Sequence, residues 1–136
     1  MNRPILLAYQ FLIGVSDTAT GILLIVLPGL ALRLLTLHVP DNAIPYFSFV
    51  GAFVLSVGLA CLYGAMVMAR RGSPCKLEVV WLLTAITRAS VAVFLVAQVT
   101  AHLLEAGWLT VAAFDAACVL FQAIGLRKGW VAHVAQ

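Results

Sequence analysis

Four long apolar runs, from about Ile5 to Leu27, Ile44 to Ala69, Leu77 to Ala101 and Trp108 to Leu126, are separated by short breaks rich in proline, glycine or charge. Each comes close to or exceeds the roughly 20 residues that a helix rising about 1.5 Å per residue needs to cross a hydrocarbon core of about 30 Å. The runs are continuous and rich in Leu, Ala and Val, whereas barrel strands would be segments of about ten residues alternating apolar and polar positions. Lipid offers no partners to exposed backbone groups, so helices are the structure left to such segments. The pattern predicts an all-α integral membrane protein, a single antiparallel four-helix bundle over residues 1–136.

The breaks refine this picture. Pro4 suits the first turn of a helix, where its missing N–H costs nothing. Pro28-Gly29 ends the first span, and LALRLLTLH, residues 30–38, is too short to span and too apolar for an ordinary loop. It predicts a short interfacial helix, with Arg33 reaching toward head groups. VPDNAIP, residues 39–45, is a turn that restarts the chain into the second span. Gly51, Gly58 and Gly64 mark a face of that span on which neighbouring helices can approach closely. RRGSPCK and HLLEAGW are tight connections, with Gly107 as the expected break in the latter. Trp81, Trp108 and Trp130 stand near span ends and read as an aromatic belt, His102 and His133 as interfacial, Glu105 as solvated. The first run is too long and too polar at Gln10, Ser16, Asp17, Thr18 and Thr20 for a cleaved leader, so it reads as a span.

Composition agrees with the pattern: 64% of the residues are hydrophobic and 10% charged, far from the usage of soluble domains. The basic residues set an orientation. With the N-terminus in the cytoplasm, Arg3, Arg70, Arg71, Lys76, Arg127 and Lys128 lie inside and Arg33 alone outside, so both termini are expected to be cytoplasmic and the chain multi-pass. That asymmetry accounts for a sequence pI near 9.0 and gives no support to nucleic-acid binding. Cys61, Cys75 and Cys118 have no metal-ligand or redox spacing. No metal or organic cofactor is expected; the expected partners are membrane lipids and a lipophilic small molecule, with homo-oligomerisation left open.

Three ionisable residues stand deep inside the runs: Asp17 in the first, Arg88 in the third and Asp115 in the fourth. All fall within about two turns of the middle of their spans. A lone charge there costs roughly 2.5–3.5 kcal/mol on insertion scales, so each is expected to have a partner. Residues three, four and seven apart share a helix face. Gln10, Gly14, Asp17, Thr20 and Gly21 line one face of the first span. Trp81, Thr84, Arg88 and Leu95, with Gln98 and His102 further round, line one of the third. Trp108, Val111, Asp115, Cys118 and Gln122 line one of the fourth. Arg88 is the expected bridge, because its planar fork of donors can serve two carboxylates. Two ionised acids around one guanidinium leave an excess negative charge, which favours a proton on one of them and so supplies one acid and one base.

Three readings of such a triad stay open: a structural network, an acid–base site around a water that attacks a lipophilic substrate, and a carrier of protons or cations. The Asp-bearing first span, the LPGLALRLLTL segment, the glycine-rich second span and the two closely linked final spans resemble the DoxX-like group of small four-helix membrane proteins. That resemblance covers nearly the whole chain and implies the fold; in some members it implies an accessory subunit of a quinone-linked oxidoreductase. The Asp–Arg–Asp set is similar to that of the limonene-type epoxide hydrolases. There one aspartate protonates the epoxide oxygen, the other activates water and the arginine holds both. Those enzymes are soluble α+β proteins, so only the chemistry carries over. In size and span count the chain also resembles the small integral-membrane epoxide hydrolases of polyether biosynthesis. The resemblance implies catalytic roles for Asp17, Arg88 and Asp115. Gln98, Gln122, Thr84, Tyr63 and Gln10 are candidates for positioning substrate or water.

Overall fold

A computed structural model describes residues 2–134, and side chains as far as residue 132; the interfacial reading of His133 lies outside the described side chains. Every regular element among the described residues is helical: α1 (Arg3–Val26), α2 (Pro28–Leu34), a 3-10 turn (Asp41–Ala43), α3 (Ile44–Ala69), α4 (Pro74–Thr100), α5 (Trp108–Arg127) and α6 (Trp130–Val134). Four of these, α1, α3 with its leading 3-10 turn, α4 and α5, are long and apolar enough to cross a membrane. Their exposed side chains are large hydrophobics such as Leu12, Phe53, Leu83, Val93 and Leu120, a surface made for lipid and not for water. The chain divides into two compact units, residues 2–66 and residue 67 onward.

In the first unit α1 and α3 pack antiparallel along glycines. A Cβ at Gly14 would lie 2.9 Å from Leu62, one at Gly21 2.5 Å from the Leu55 nitrogen, one at Gly51 2.8 Å from Leu24, and one at Gly58 2.5 Å from the Thr18 nitrogen. At each contact a glycine on one helix lets the backbone or side chain of the other come close, the small-residue packing expected of the second span. Gln10, 1% exposed, donates from Nε2 to the Cys61 carbonyl at 3.1 Å. After Pro28 the chain turns into α2, whose Ala31 and Leu32 are buried while Arg33 is exposed.

In the second unit α4 and α5 form an antiparallel hairpin. His102 takes a left-handed φ of 59° and helps to reverse the chain where Gly107 was the expected break; Gly107 itself is helical in φ and directly precedes α5. The hydroxyls of Thr84, Thr87, Ser90 and Thr100 donate back to carbonyls of the preceding turn of α4. That satisfies the hydroxyl protons within the helix. At the other end of the hairpin Gly129, at φ +61°, ends α5. Trp130 then folds back onto Phe121, which also meets Trp81, with ring centroids 5.7 Å and 6.0 Å apart. Trp81 is therefore fully buried, 0% exposed, and belongs to an internal aromatic cluster, not to the expected belt. The space for it comes from Gly125, where a Cβ would lie 2.5 Å from the Trp81 ring.

Candidate functional site

The second unit carries a polar seam between α4 and α5. The buried face of α4 is Leu77, Trp81, Thr84, Arg88, Ala92 and Leu95, and that of α5 is Ala112, Asp115, Cys118, Gln122 and Gly125. Both follow the three- and four-residue spacing of one helix stripe. Antiparallel register brings the stripes together level by level: Trp81 with Gly125, Thr84 with Gln122, Arg88 with Asp115.

At the charged level Arg88 donates from Nη1 to Asp115 Oδ1 at 2.5 Å, with the side chains 4% and 11% exposed. The guanidinium carbon also lies 5.6 Å from the Phe114 ring centroid. An aromatic face adds attraction for a cation where water is excluded. Pairing converts two costly intramembrane charges into a neutral unit. Arg88 carries its donors in a fixed planar fork, and a carboxylate can accept more than one hydrogen bond.

One turn along α4, Gln122 donates from Nε2 to Thr84 Oγ1 at 2.9 Å. The Thr84 proton goes to a backbone carbonyl, that of Val80 at 2.8 Å or of Trp81 at 3.3 Å. Those carbonyls only accept, so Thr84 must accept from Gln122, which fixes the orientation of the glutamine amide. The levels of Thr84 and Arg88 are about 6 Å apart along the helix axis.

The hairpin also bears an apolar groove of about 660 Å³, lined by residues that include Ala92, Val96, Leu109, Ala112 and Ala116. Ala92 is one turn from Arg88, and Ala112 and Ala116 flank Asp115. The groove has the size of a small-molecule site, but its lining carries no polar side chain.

Of the sequence-derived candidates, Arg88, Asp115, Thr84 and Gln122 come together in this seam. Gln98 is on the same helix but half-buried, about 15 Å of axial rise beyond Arg88. Asp17 and Gln10 belong to the first unit, both on the buried face of α1. Asp17 is 8% exposed and next in sequence to Thr18, which packs on Gly58. Tyr63, on α3, is 43% exposed. Sequence reasoning missed Phe114 against Arg88, because a residue adjacent in sequence to Asp115 lies off its stripe. In comparisons with known proteins, no family model, curated protein or solved structure matches the chain.

Proposed function

We propose that the chain is a multi-pass membrane hydrolase, with both termini cytoplasmic, that adds water to a lipophilic epoxide through buried carboxyl groups organised by Arg88. The observation that carries this reading is the Arg88–Asp115 pair, held between two membrane-length helices at 4% and 11% side-chain exposure. A guanidinium so placed orients a carboxylate, and its planar fork suits two carboxylates or a developing oxyanion. Asp17, buried on α1, is assigned as the second acid from its depth and its polar face in the sequence.

Chemically the step is a single displacement. One carboxylate takes a proton from water as the water oxygen bonds to an epoxide carbon. The carbon–oxygen bond of the ring breaks, and the other carboxyl group gives its proton to the departing oxygen. The product is a vicinal diol, and the two acids exchange protonation states. The apolar groove on the hairpin and the lipid-ready surface suit a substrate that arrives from the bilayer.

The test is incubation of purified protein with terpenoid and fatty epoxides, following diol formation and incorporation of oxygen from labelled water. Turnover should fall by about a hundredfold or more in Asp17→Asn, Asp115→Asn and Arg88→Gln, the scale of a lost acid–base group. Equal turnover in all three variants and the parent would remove the proposal.

A further inference from the structure

Positive charge gathers at one end of the second unit, outside the polar seam. Arg70 and Arg71 follow α3, Lys76 lies in the first turn of α4, and Arg127 and Lys128 close α5; all five are exposed. They share an axial level because Trp81, two turns into α4, packs against Gly125 near the end of α5. The Gly72 N–H, bonded to the Val67 carbonyl at 2.8 Å, holds the arginine corner against the end of α3. Glu78 is the one carboxylate in segments 70–81 and 121–132. The first turn of α4 carries no acidic residue and no side-chain cap, so the positive end of its dipole adds to the same field. Lys128 sits 6.0 Å from the Trp130 ring centroid. The left-handed turn at Gly129 and the Phe121 contact fix that ring in place.

We propose that this end binds the headgroup of an anionic glycerophospholipid. Arg127 and Lys128 engage its phosphate from one side, Arg70, Arg71 and Lys76 from the other, and Trp130 sits at the glycerol level. Charge complementarity selects an anion, and the adjoining wall selects a lipid. Val79, Leu82, Leu83, Leu120 and Ile124, all exposed, continue from the cations along α4 and α5. A soluble phosphate would leave that wall uncovered, whereas acyl chains cover it. Basic clusters at the end of a membrane helix attract anionic lipid by about fivefold per charge near the surface, and a Trp ring anchors at this depth. The inference is independent of the hydrolase reading.

The experiment uses the purified full chain in bilayers of phosphatidylcholine, comparing quenching of tryptophan fluorescence by brominated phosphatidylglycerol and brominated phosphatidylcholine. The anionic lipid should quench at about fivefold lower mole fraction or better at low salt. The preference should shrink toward one near 1 M salt, where the screening length is about 3 Å. Arg127→Gln with Lys128→Gln should lower the preference at least threefold. Arg127→Lys with Lys128→Arg should keep it, which separates lost charge from lost fold, and Arg33→Gln should leave it unchanged. Equal quenching by the two lipids, a preference insensitive to salt, or a preference retained by the neutral double variant overturns the proposal.

Discussion

Arg88 of α4 and Asp115 of α5 meet one turn along the hairpin from the contact between Thr84 and Gln122, so the charged pair and the neutral pair are successive levels of one seam. Each level has a donor on one helix and an acceptor on the other. That complementarity, together with Trp81 packed on Gly125, fixes the register of α4 against α5, which the remaining apolar positions, mostly Ala, Leu and Val, would leave free to slide.

The charged level can be tested by separating its energetic role from any chemistry. Arg88→Met alone removes the cation that Asp115 faces, and Asp115→Leu alone removes that carboxylate from the guanidinium; each should destabilise by about 3–5 kcal/mol. The double variant replaces the pair by apolar groups of similar bulk and should recover most of that loss, since a buried ion pair is often no more stabilising than a hydrophobic one. Unfolding of the purified protein in mixed micelles reads all three. Additive losses in the double variant would mean that the residues do not act as a pair. Diol formation, in contrast, should be absent from the double variant despite its recovered stability.

Much of this seam is legible in the sequence, because lipid removes the usual camouflage of polar residues. In a run of Leu, Ala and Val, Arg88 and Asp115 stand out by depth, and the spacing to Thr84 and Gln122 places them on the same faces. The span limits are legible for the same reason, since α1, α3 and α5 end within about a turn of the expected boundaries; α4 instead begins at Pro74, a turn before the expected Leu77, and the short helix runs over Pro28–Leu34 and not over 30–38, because proline opens each as a first-turn residue. Trp81 was less transparent. A tryptophan near the end of a run suits the membrane interface equally well, and its burial depends on Gly125 lying opposite. That is a matter of register between two helices, which neither helix encodes alone. Gln98 shows the converse: it falls loosely on the stripe of Arg88, yet three turns of rise separate the two.

The neutral level should contribute less than the charged one. Thr84→Val removes the acceptor for the Gln122 amide but keeps the shape of the side chain, and should cost about 0.6–2 kcal/mol, the range for hydrogen bonds between membrane helices. Gln122→Leu in that background should cost little more, because the two residues share a single interaction. A double-variant loss equal to the sum of the single losses would show that they are not coupled. The same unfolding assay measures both.

The first unit makes its own prediction. At Gly58 an added Cβ lies 2.5 Å from the Thr18 nitrogen, so the neighbour in the way is helix backbone and cannot rotate aside. Gly58→Ala should destabilise by about 1–3 kcal/mol, the scale of overpacking. At Gly29, in α2, an added Cβ meets nothing within 4 Å. Gly29→Ala should be neutral or stabilise by up to about 1 kcal/mol, through helix propensity. Melting temperatures of the two variants moving in the same direction by the same amount would contradict the close approach of α1 and α3.

Gly125 offers the sharpest check on the register of the hairpin. Its Cβ would stand 2.5 Å from Trp81 Cζ3 and 2.9 Å from Trp130 Cε3, so Gly125→Ala must push one indole out of the cluster or separate the helices. Tryptophan emission should shift to the red and stability should fall by about 1–3 kcal/mol. Trp81→Phe deletes the ring atoms that collide and leaves room for the methyl group. In the Gly125→Ala background it should therefore recover part of the loss, although alone it opens a void and destabilises. Such mutual compensation requires that the two positions touch. If Trp81→Phe deepens the defect of Gly125→Ala by its full separate cost, then Trp81 and Gly125 are not in contact, and the pairing of Thr84 with Gln122 and Arg88 with Asp115 loses the packing that sets its register.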